Sequence, residues 1–180
     1  SGNDCWCPRC HRLFQERLAA EHGSVAALNE AWGSHFWSFT FSSFDEVPLP
    51  RRPAGSNPQL ALAYRRFLSG LNVEFARRRA ALIRELDPGK WVTTNFQSFQ
   101  ARHTDYFQMA GALDINGMNH YPARSPEFIL DYYRGTRGKV LSLEQCTRLA
   151  PVDIGEGWMR LWAWRAIAHG ACGINFFRWR

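Results

Sequence analysis

The feature that most constrains the fold is a regular alternation of short apolar strands and amphipathic helices in the second half of the chain. Four strands are predicted, at residues 91–95, 112–116, 140–144 and 171–176. Helices are predicted between them, at residues 105–110, 126–133 and 157–169. Short connections between strands and helices are typical of parallel βα units. No G-x-G-x-x-G or Walker motif follows these strands, so the pattern favours a (β/α)8 TIM barrel over a nucleotide-binding α/β sheet. We expect about the second half of that barrel, strands 5–8.

The composition is that of a folded domain and gives little support to nucleic acid as a partner. Hydrophobic residues make up 46% and aromatic residues 14% of the 180 residues, which excludes a disordered chain. The formal net charge is +6, but the arginines between residues 65 and 84 alternate with apolar positions and indicate solvated helix faces. The sequence shows no typical signal peptide and no membrane-spanning run, so we expect a cytoplasmic protein without a membrane partner.

The N-terminal third differs from the βα part and is predicted to be an insertion in the barrel domain. Residues 1–56 contain a cysteine motif and an aromatic loop, whereas residues 57–180 form the βα units. Asn57 and Pro58 are typical of a helix cap and of a first helical residue. The chain starts without Met and stops at what resembles a strand end. We therefore expect a fragment of a longer protein.

An irregular aromatic segment between residues 32 and 44 has two interpretations. Its aromatic spacing does not follow one helix face, so a loop is predicted. The loop is either a satellite hydrophobic cluster or a platform for a sugar at the rim of a pocket, because flat apolar rings stack on the C–H faces of pyranoses. The aromatic residues of this segment are Trp32, Phe36, Trp37, Phe39, Phe41 and Phe44.

Three cysteines lie close together near the N-terminus, in the C-x-C-x-x-C motif of Cys5, Cys7 and Cys10. Three thiolates at this spacing favour a soft metal ion in tetrahedral geometry, most often Zn2+. A structural zinc site needs a fourth ligand, for which His11, Asp4 and a cysteine upstream of residue 1 are the candidates. The alternatives are three reduced thiols without a metal, or a disulfide, which would be strained across such short spacings.

Polar residues gather at the predicted carboxyl ends of the strands, where parallel βα barrels carry their chemistry. Strand ends are polar in any case, which accounts for Asn119 and for His120 in part. This general polarity of strand ends accounts less well for a Glu, a Tyr and an Arg at the ends of consecutive strands. A carboxylate beside a tyrosine favours glycoside hydrolysis, although a second catalytic carboxylate is not evident. The strand-end residues are Asn95, Asn116, Asn119, His120, Tyr121, Glu144, Gln145 and Arg178.

A set of short motifs occurs in a fixed order along the chain. The motifs are CWCPRC at residues 5–10, LNEAWGSHFWS at 28–38, Asn57-Pro58, TNF at 94–96, Tyr121-Pro122, LEQ at 143–145 and FRWR at 177–180. Each motif alone is weak, but the ordered set covers nearly the whole chain. Together the motifs resemble the catalytic barrel of glycoside hydrolase family 42, the β-galactosidases.

The resemblance implies a retaining β-galactosidase that acts on β-galactosides or related oligosaccharides and assembles as a homotrimer. Carried over position by position, Glu144 corresponds to the catalytic nucleophile, Trp37 to a tryptophan that lines the sugar pocket and Tyr121 to the tyrosine beside the nucleophile. Cys5, Cys7 and Cys10 correspond to three of four structural zinc ligands, and the fourth cysteine of the family lies upstream of this chain.

Two departures from the family leave alternatives open. The acid/base Glu of the family lies just before the cysteine motif, so we expect this chain alone to be inactive. The family also has a sugar-binding Trp after its Glu-Gln pair, whereas residues 146–152 here contain none. Another β-glycoside, such as an arabinoside or a fucoside, is therefore an alternative substrate. A zinc-dependent nucleic-acid module is the least favoured alternative.

Overall fold

The computed structural model describes residues 5–50, 57–96, 104–121, 126–147 and 156–178. These residues divide into two compact units, and the division falls between Leu71 and Asn72, within one long helix. The predicted boundary between residues 56 and 57 therefore precedes this helix, and the prediction of an inserted N-terminal segment stays a prediction. Among the described residues, no helix is long and apolar enough to cross a membrane.

The first unit contains helices whose ends follow from local sequence signals. The Cys7 side chain accepts a hydrogen bond from the Cys10 backbone N–H, and Ser24 in the same way caps the second helix through Ala27. Gly33 ends the second helix in the left-handed conformation that glycine adopts without strain. The helices are α1 (Pro8–His22), α2 (Val25–Trp32), the 3-10 helices Phe36–Ser38 and Phe44–Glu46, and the first part of α3 (Pro58–Leu86).

The core of the first unit is built by α1, α2 and α3 around fully buried apolar side chains. Phe14 of α1 lies against Tyr64 and Phe67 of α3, with ring centroids 5.2 and 5.5 Å away. Three residues of the aromatic segment, Trp32, Phe41 and Phe44, pack against this core, as in the satellite-cluster interpretation. Phe36 of the same segment is instead 65% exposed.

The second unit is a parallel four-stranded sheet with the strand order β1-β2-β3-β4 and helices between the strands. This confirms the predicted α/β fold, and the chain is part of a (β/α)8 barrel. Its elements after α3 are β1 (Asn95–Phe96), α4 (Tyr106–Ala110), β2 (Asn116–His120), α5 (Pro126–Arg137), β3 (Val140–Cys146), α6 (Glu156–Ala168) and β4 (Ala171–Phe177).

Strands β1 and β2 begin later than predicted, at Asn95 and Asn116. The apolar residues taken for the second strand lie partly in the turn after α4, where Leu113 donates a backbone hydrogen bond to Ala110. Asn116 therefore opens β2 instead of following it. Its buried side chain donates to the Tyr133 carbonyl and to Thr136, at 2.8 Å each, which is a structural role.

One face of the sheet packs against the helices and carries the core of the second unit. Phe96, Met118 and Val140 on this face belong to one buried cluster with Leu130 and Tyr133 of α5. Side chains alternate between the two faces of a strand, so the neighbours of these residues point to the opposite face. That opposite face, hereafter the open face, carries the candidate site.

Candidate active site

An irregularity in strand β3 determines which way Glu144 points. Met118 of β2 pairs with Ser142, but the next residue, Asn119, pairs with Glu144, so Leu143 is an extra residue on β3. Without this bulge, Glu144 would share the buried face with Ser142. With it, Gln145 takes the buried position and Glu144 joins the open face. Bulges are a common means of redirecting a side chain beside an active site.

Glycine at position 117 makes room for the bulged residue. A Cβ atom at Gly117 would lie 2.2 Å from Cδ1 of Leu143 and 2.7 Å from the Thr94 carbonyl oxygen. Leu143 would have to move to admit a side chain at this position, and the Thr94 backbone oxygen would still lie too close to it. Gly117 therefore belongs to the construction of the site, although it carries no functional group.

The Glu144 carboxylate accepts a hydrogen bond at each of its oxygens. Asn95 of β1 donates from Nδ2 to Oε1 at 2.9 Å, and Tyr121, directly after β2, donates from its hydroxyl to Oε2 at 2.9 Å. Asn119 of β2 accepts a further hydrogen bond from Asn95 Nδ2 at 2.7 Å. Three neighbouring strands thus bring an amide, a phenol and a carboxylate together, as the strand-end prediction implied for Glu144 and Tyr121.

The Tyr121 hydroxyl remains a donor over the whole neutral range. Burial, with a smaller contribution from the hydrogen bond to Glu144, raises the pKa of Tyr121 to about 12. A neutral phenol can keep donating to the carboxylate without adding a second negative charge.

Other acidic side chains of the second unit are engaged elsewhere. Asp114 accepts hydrogen bonds from the Val92 backbone N–H and from Arg84, both at 2.8 Å, and these contacts, the first above all, lower the pKa of Asp114. Glu74 lies between two arginines of its own helix, Glu127 pairs with Arg165, and Asp105 caps α4. Unlike the three carboxylates that contact arginines, Glu144 is bound by the uncharged donors Asn95 and Tyr121.

Behind the open face, Gln145 and His120 form a buried pair. His120 Nδ1 lies 2.7 Å from Gln145 Oε1, and its ring stacks on Trp162 of α6 at a centroid distance of 5.2 Å. Burial is the main cause that lowers the pKa of His120, which keeps the imidazole neutral. His120 is therefore a buried residue. This differs from the expectation that the solvation of strand ends accounts for it in part. His120 fixes the strand segment that carries Glu144.

The structure gives less information on two other predicted site residues, Trp37 and Arg178. Trp37 lies in the 3-10 helix Phe36–Ser38 of the first unit, and its side chain is outside the described part of the structure. Its role as a sugar-lining residue stays a prediction. Arg178 directly follows β4 and is exposed. Asn95 and Asn119, in contrast, were given no catalytic role from the sequence.

The cysteine motif forms a second cluster in the first unit. The sulfur atoms of Cys5, Cys7 and Cys10 lie within 4.8 Å of one another, with Cys5 and Cys7 3.4 Å apart, and all three thiols are free. Tyr64 donates a hydrogen bond to the Cys5 carbonyl, which ties the motif to α3. Three sulfur donors on one short turn match the chemistry of a Zn2+ site.

The hydrogen bonds within this cluster favour ionisation of Cys7 over ionisation of Cys10. The Cys10 backbone N–H is the main cause that lowers the pKa of Cys7 to about 7, whereas the hydrogen bond to Cys5 raises the pKa of Cys10 to about 12. His11, a predicted candidate for the fourth ligand, has its Nε2 atom 2.8 Å from the Val47 carbonyl oxygen. Asp4, the other candidate in this chain, lies outside the described residues.

The fold and this site define a class, the parallel βα-barrel enzymes that carry their functional side chains at the carboxyl ends of neighbouring strands. The sequence model of glycoside hydrolase family 42, described as β-galactosidase, matches residues 1–180. The chain therefore belongs to glycoside hydrolase family 42, as the motif resemblance predicted.

Relatives in sequence and in structure agree with this assignment. The chain is 38% identical to a β-galactosidase of Thermus thermophilus over 98% of its own length and 32% of the relative's length. It is 36% identical to the β-galactosidase BgaH of Haloferax lucentense, over 98% of this chain and 30% of the relative.

Solved structures show the same fold. The β-galactosidase of the haloarchaeon Halorubrum lacusprofundi matches with a TM-score of 0.87 and 35% identity, over 98% of this chain and 30% of that one. The β-galactosidase of Marinomonas ef1 matches with a TM-score of 0.89 and 29% identity, over 98% and 31%. The chain spans about a third of the length of the curated relatives it matches.

Proposed function

We propose that the complete protein hydrolyses terminal β-galactosides with retention of configuration, and that Glu144 is the nucleophile. The observation that carries this proposal is the Glu144 carboxylate, which is held at both oxygens by Asn95 and Tyr121 on the open face of the sheet. A nucleophile must be ionised and correctly oriented before the substrate arrives. Uncharged donors hold a carboxylate in place without pairing it to a cation.

The proposed reaction is a double displacement. A Glu144 oxygen attacks the anomeric carbon while the bond to the leaving-group oxygen breaks, and that oxygen takes a proton from a second carboxyl group. We propose, from the family resemblance, that this acid/base precedes the cysteine motif. Water then attacks the anomeric carbon, its proton passes to the same carboxylate, and Glu144 leaves as a carboxylate. The Tyr121 hydroxyl stabilises the negative charge on Glu144 at the beginning and at the end of the cycle.

Replacement of the proposed nucleophile tests the function directly. In the complete protein, Glu144→Gln should lower kcat for a β-galactoside by about 10⁴-fold, because the amide keeps the shape but does not form the glycosyl ester. Glu74→Gln on the exposed side of α3 is the matched control and should keep wild-type activity. Added azide should restore turnover of Glu144→Ala and yield the α-galactosyl azide. Substantial hydrolysis by Glu144→Gln would contradict the assignment.

Galactose is proposed as the sugar because the relatives named above are β-galactosidases. Residues 146–152 lack the tryptophan that the family resemblance led us to expect, so the specificity needs its own measurement. We expect kcat/KM for an aryl β-D-galactoside to exceed that for the matching β-D-fucoside and α-L-arabinoside. A preference for either of these two would correct the substrate and leave the role of Glu144 intact.

We also propose that Cys5, Cys7 and Cys10 supply three ligands of a structural Zn2+ ion, whose role would be to fix the N-terminal turn of α1. Support comes from the donor chemistry and from the mutual approach of the three sulfurs. Such an ion would tie the segment before α1 to the start of that helix.

The metal content of the complete protein tests the zinc proposal. Elemental analysis after dialysis against trace-metal-free buffer should give about one zinc per subunit, and Cys7→Ser should lose it. The same variant should lower Tm by several degrees, because structural zinc contributes to folding free energy, while kcat stays near that of the wild type. Cys172→Ser, in β4, is the control that should retain zinc. Wild-type protein that contains no zinc, or that keeps its Tm after zinc has been removed, would contradict the proposal.

A further inference from the structure

The Asn95 carboxamide connects two side chains from neighbouring strands. Its Nδ2 atom lies 2.9 Å from Glu144 Oε1 and 2.7 Å from Asn119 Oδ1. Asn95 opens β1, Asn119 lies in β2 and Glu144 lies in β3, so the contacts cross the sheet in strand order. Both hydrogens of one amide nitrogen are thus used on oxygens of the open face.

The backbone register places these three side chains on the same face. Asn95 pairs with Gly117, and Asn119 follows Gly117 by two residues, which returns its side chain to the same face. Asn119 in turn pairs with Glu144 because of the bulge at Leu143. The contact between Asn95 and Glu144 is therefore a consequence of sheet geometry.

The acceptors fix the orientation of the Asn95 amide. The Glu144 carboxylate accepts hydrogen bonds only, so an amide turned by 180° would set Asn95 Oδ1 against a negatively charged oxygen. Asn119 Oδ1 binds the second hydrogen of the amide and opposes this rotation. Among the described contacts, no hydrogen bond joins Asn119 to Glu144. Asn119 is therefore connected to the Glu144 carboxylate through Asn95.

We propose that Asn95 is a positioning residue for Glu144 and that Asn119 orients Asn95, a role that rests on the proposed function of Glu144. Asn95 holds Oε1 while Tyr121 holds Oε2, which restricts rotation of the carboxylate about its last side-chain bond. The Asn95 N–H also stabilises the negative charge that Glu144 regains when the glycosyl ester is hydrolysed. Both chemical steps therefore depend on Asn95, whereas substrate binding depends on it little.

Kinetics of single and double variants in the complete protein test this chain of contacts. Asn95→Ala should lower kcat by about 10- to 100-fold, the range for one hydrogen bond to a charged group, with KM within about threefold of the wild type. Asn95→Asp should lose more, because it replaces the donor by a negative charge beside Glu144. Gln108→Ala removes an amide that bonds within α4 and should be neutral.

The double variant separates positioning from a general structural effect. Asn119→Ala alone should lower kcat by a few-fold, and the Asn95→Ala/Asn119→Ala pair should be no worse than Asn95→Ala, because Asn119 acts through Asn95. The rate at which a 2-deoxy-2-fluoro-β-galactosyl fluoride labels Glu144 should fall by the same factor as kcat. Mass spectrometry of the labelled peptide gives that rate.

The outcomes distinguish this inference from the function on which it rests. Asn95→Ala with kcat within about threefold of the wild type, or additive losses in the double variant, would overturn the positioning role. Either result leaves Glu144 as the nucleophile if Glu144→Gln is inactive. An active Glu144→Gln would instead overturn the proposed function. Unfolding curves of each variant identify losses that come from misfolding.

Discussion

At the scale of single residues, Tyr121 and Asn95 each hold one oxygen of the Glu144 carboxylate from a different strand segment. The motif resemblance pointed to Glu144 and Tyr121, and the structure places the two 2.9 Å apart. Asn95 was recognised as a strand-end residue, but its contact with Glu144 depends on the register of three strands. No periodicity in the sequence reports register between parallel strands. The contact between Asn119 and Asn95 also depends on that register, so the general polarity of strand ends was a sufficient explanation of Asn119 from the sequence.

Replacement of Tyr121 should affect the reaction equally across the neutral pH range. Tyr121→Phe removes the donor to Glu144 Oε2 and should lower kcat/KM by about 10- to 100-fold. Because the pKa of Tyr121 is raised to about 12, its hydroxyl is almost fully protonated throughout the neutral range. The ratio of wild-type to variant kcat/KM should therefore stay constant from about pH 6 to about pH 9.

Steady-state kinetics across this pH range provide the measurement, with Tyr132→Phe on the exposed side of α5 as the control. A ratio that falls towards one by about pH 9 would mean that the hydroxyl ionises far earlier than its surroundings imply. That result would contradict the present account of this hydrogen bond.

At the scale of elements, the order of strands and helices was predictable and the limits of the first two strands were not. Apolar residues before β2 resemble a strand, but Leu113 belongs to the turn after α4. The true strand, Asn116–His120, contains glycine and asparagine, which have low strand propensity. Gly117 allows close packing against Leu143, and Asn119 contacts Asn95 of the site. Local propensity therefore does not predict this strand, because packing and the site determine its residues.

Replacement of Gly117 in β2 by alanine should disturb the bulge of β3. Gly117→Ala would place Cβ 2.2 Å from Leu143 Cδ1 and 2.7 Å from a backbone oxygen. We expect a loss of about 1–3 kcal/mol in the free energy of unfolding. We also expect a fall in kcat, because displacement of Leu143 moves Glu144.

Gly135→Ala in α5 is the matched control, since a Cβ there meets no atom within 4 Å. It should be neutral, or stabilising by about 0.5–1 kcal/mol, because alanine favours the helix. Urea denaturation and kcat of both variants in the complete protein check the pair. Equal stability and activity of Gly117→Ala and the wild type would contradict the proposed construction of the site.

At the scale of the whole molecule, the described sheet has two strands that each pair on one side only, β1 and β4. Parallel sheets are ordinarily covered on both faces and closed or protected at their edges. Here the β4 residues Phe176 and Phe177 are 44% and 49% exposed, and Trp158 and Trp164 of α6 are 57% and 63% exposed. Such large apolar exposure is unfavourable for a chain in isolation.

The isolated 180-residue chain should therefore neither hydrolyse β-galactosides nor remain monomeric. Retaining hydrolysis needs two carboxylates about 5–5.5 Å apart, and we expect the acid/base to precede residue 1, as the motif resemblance implies. Loss of that group costs about 10²–10⁴-fold, in addition to any loss from an incomplete pocket. Activity per mole, measured beside the complete protein, and light scattering after size-exclusion chromatography test both parts. Comparable activity of a monodisperse 180-residue chain would contradict this expectation, and it would require the second carboxylate to lie within residues 1–180.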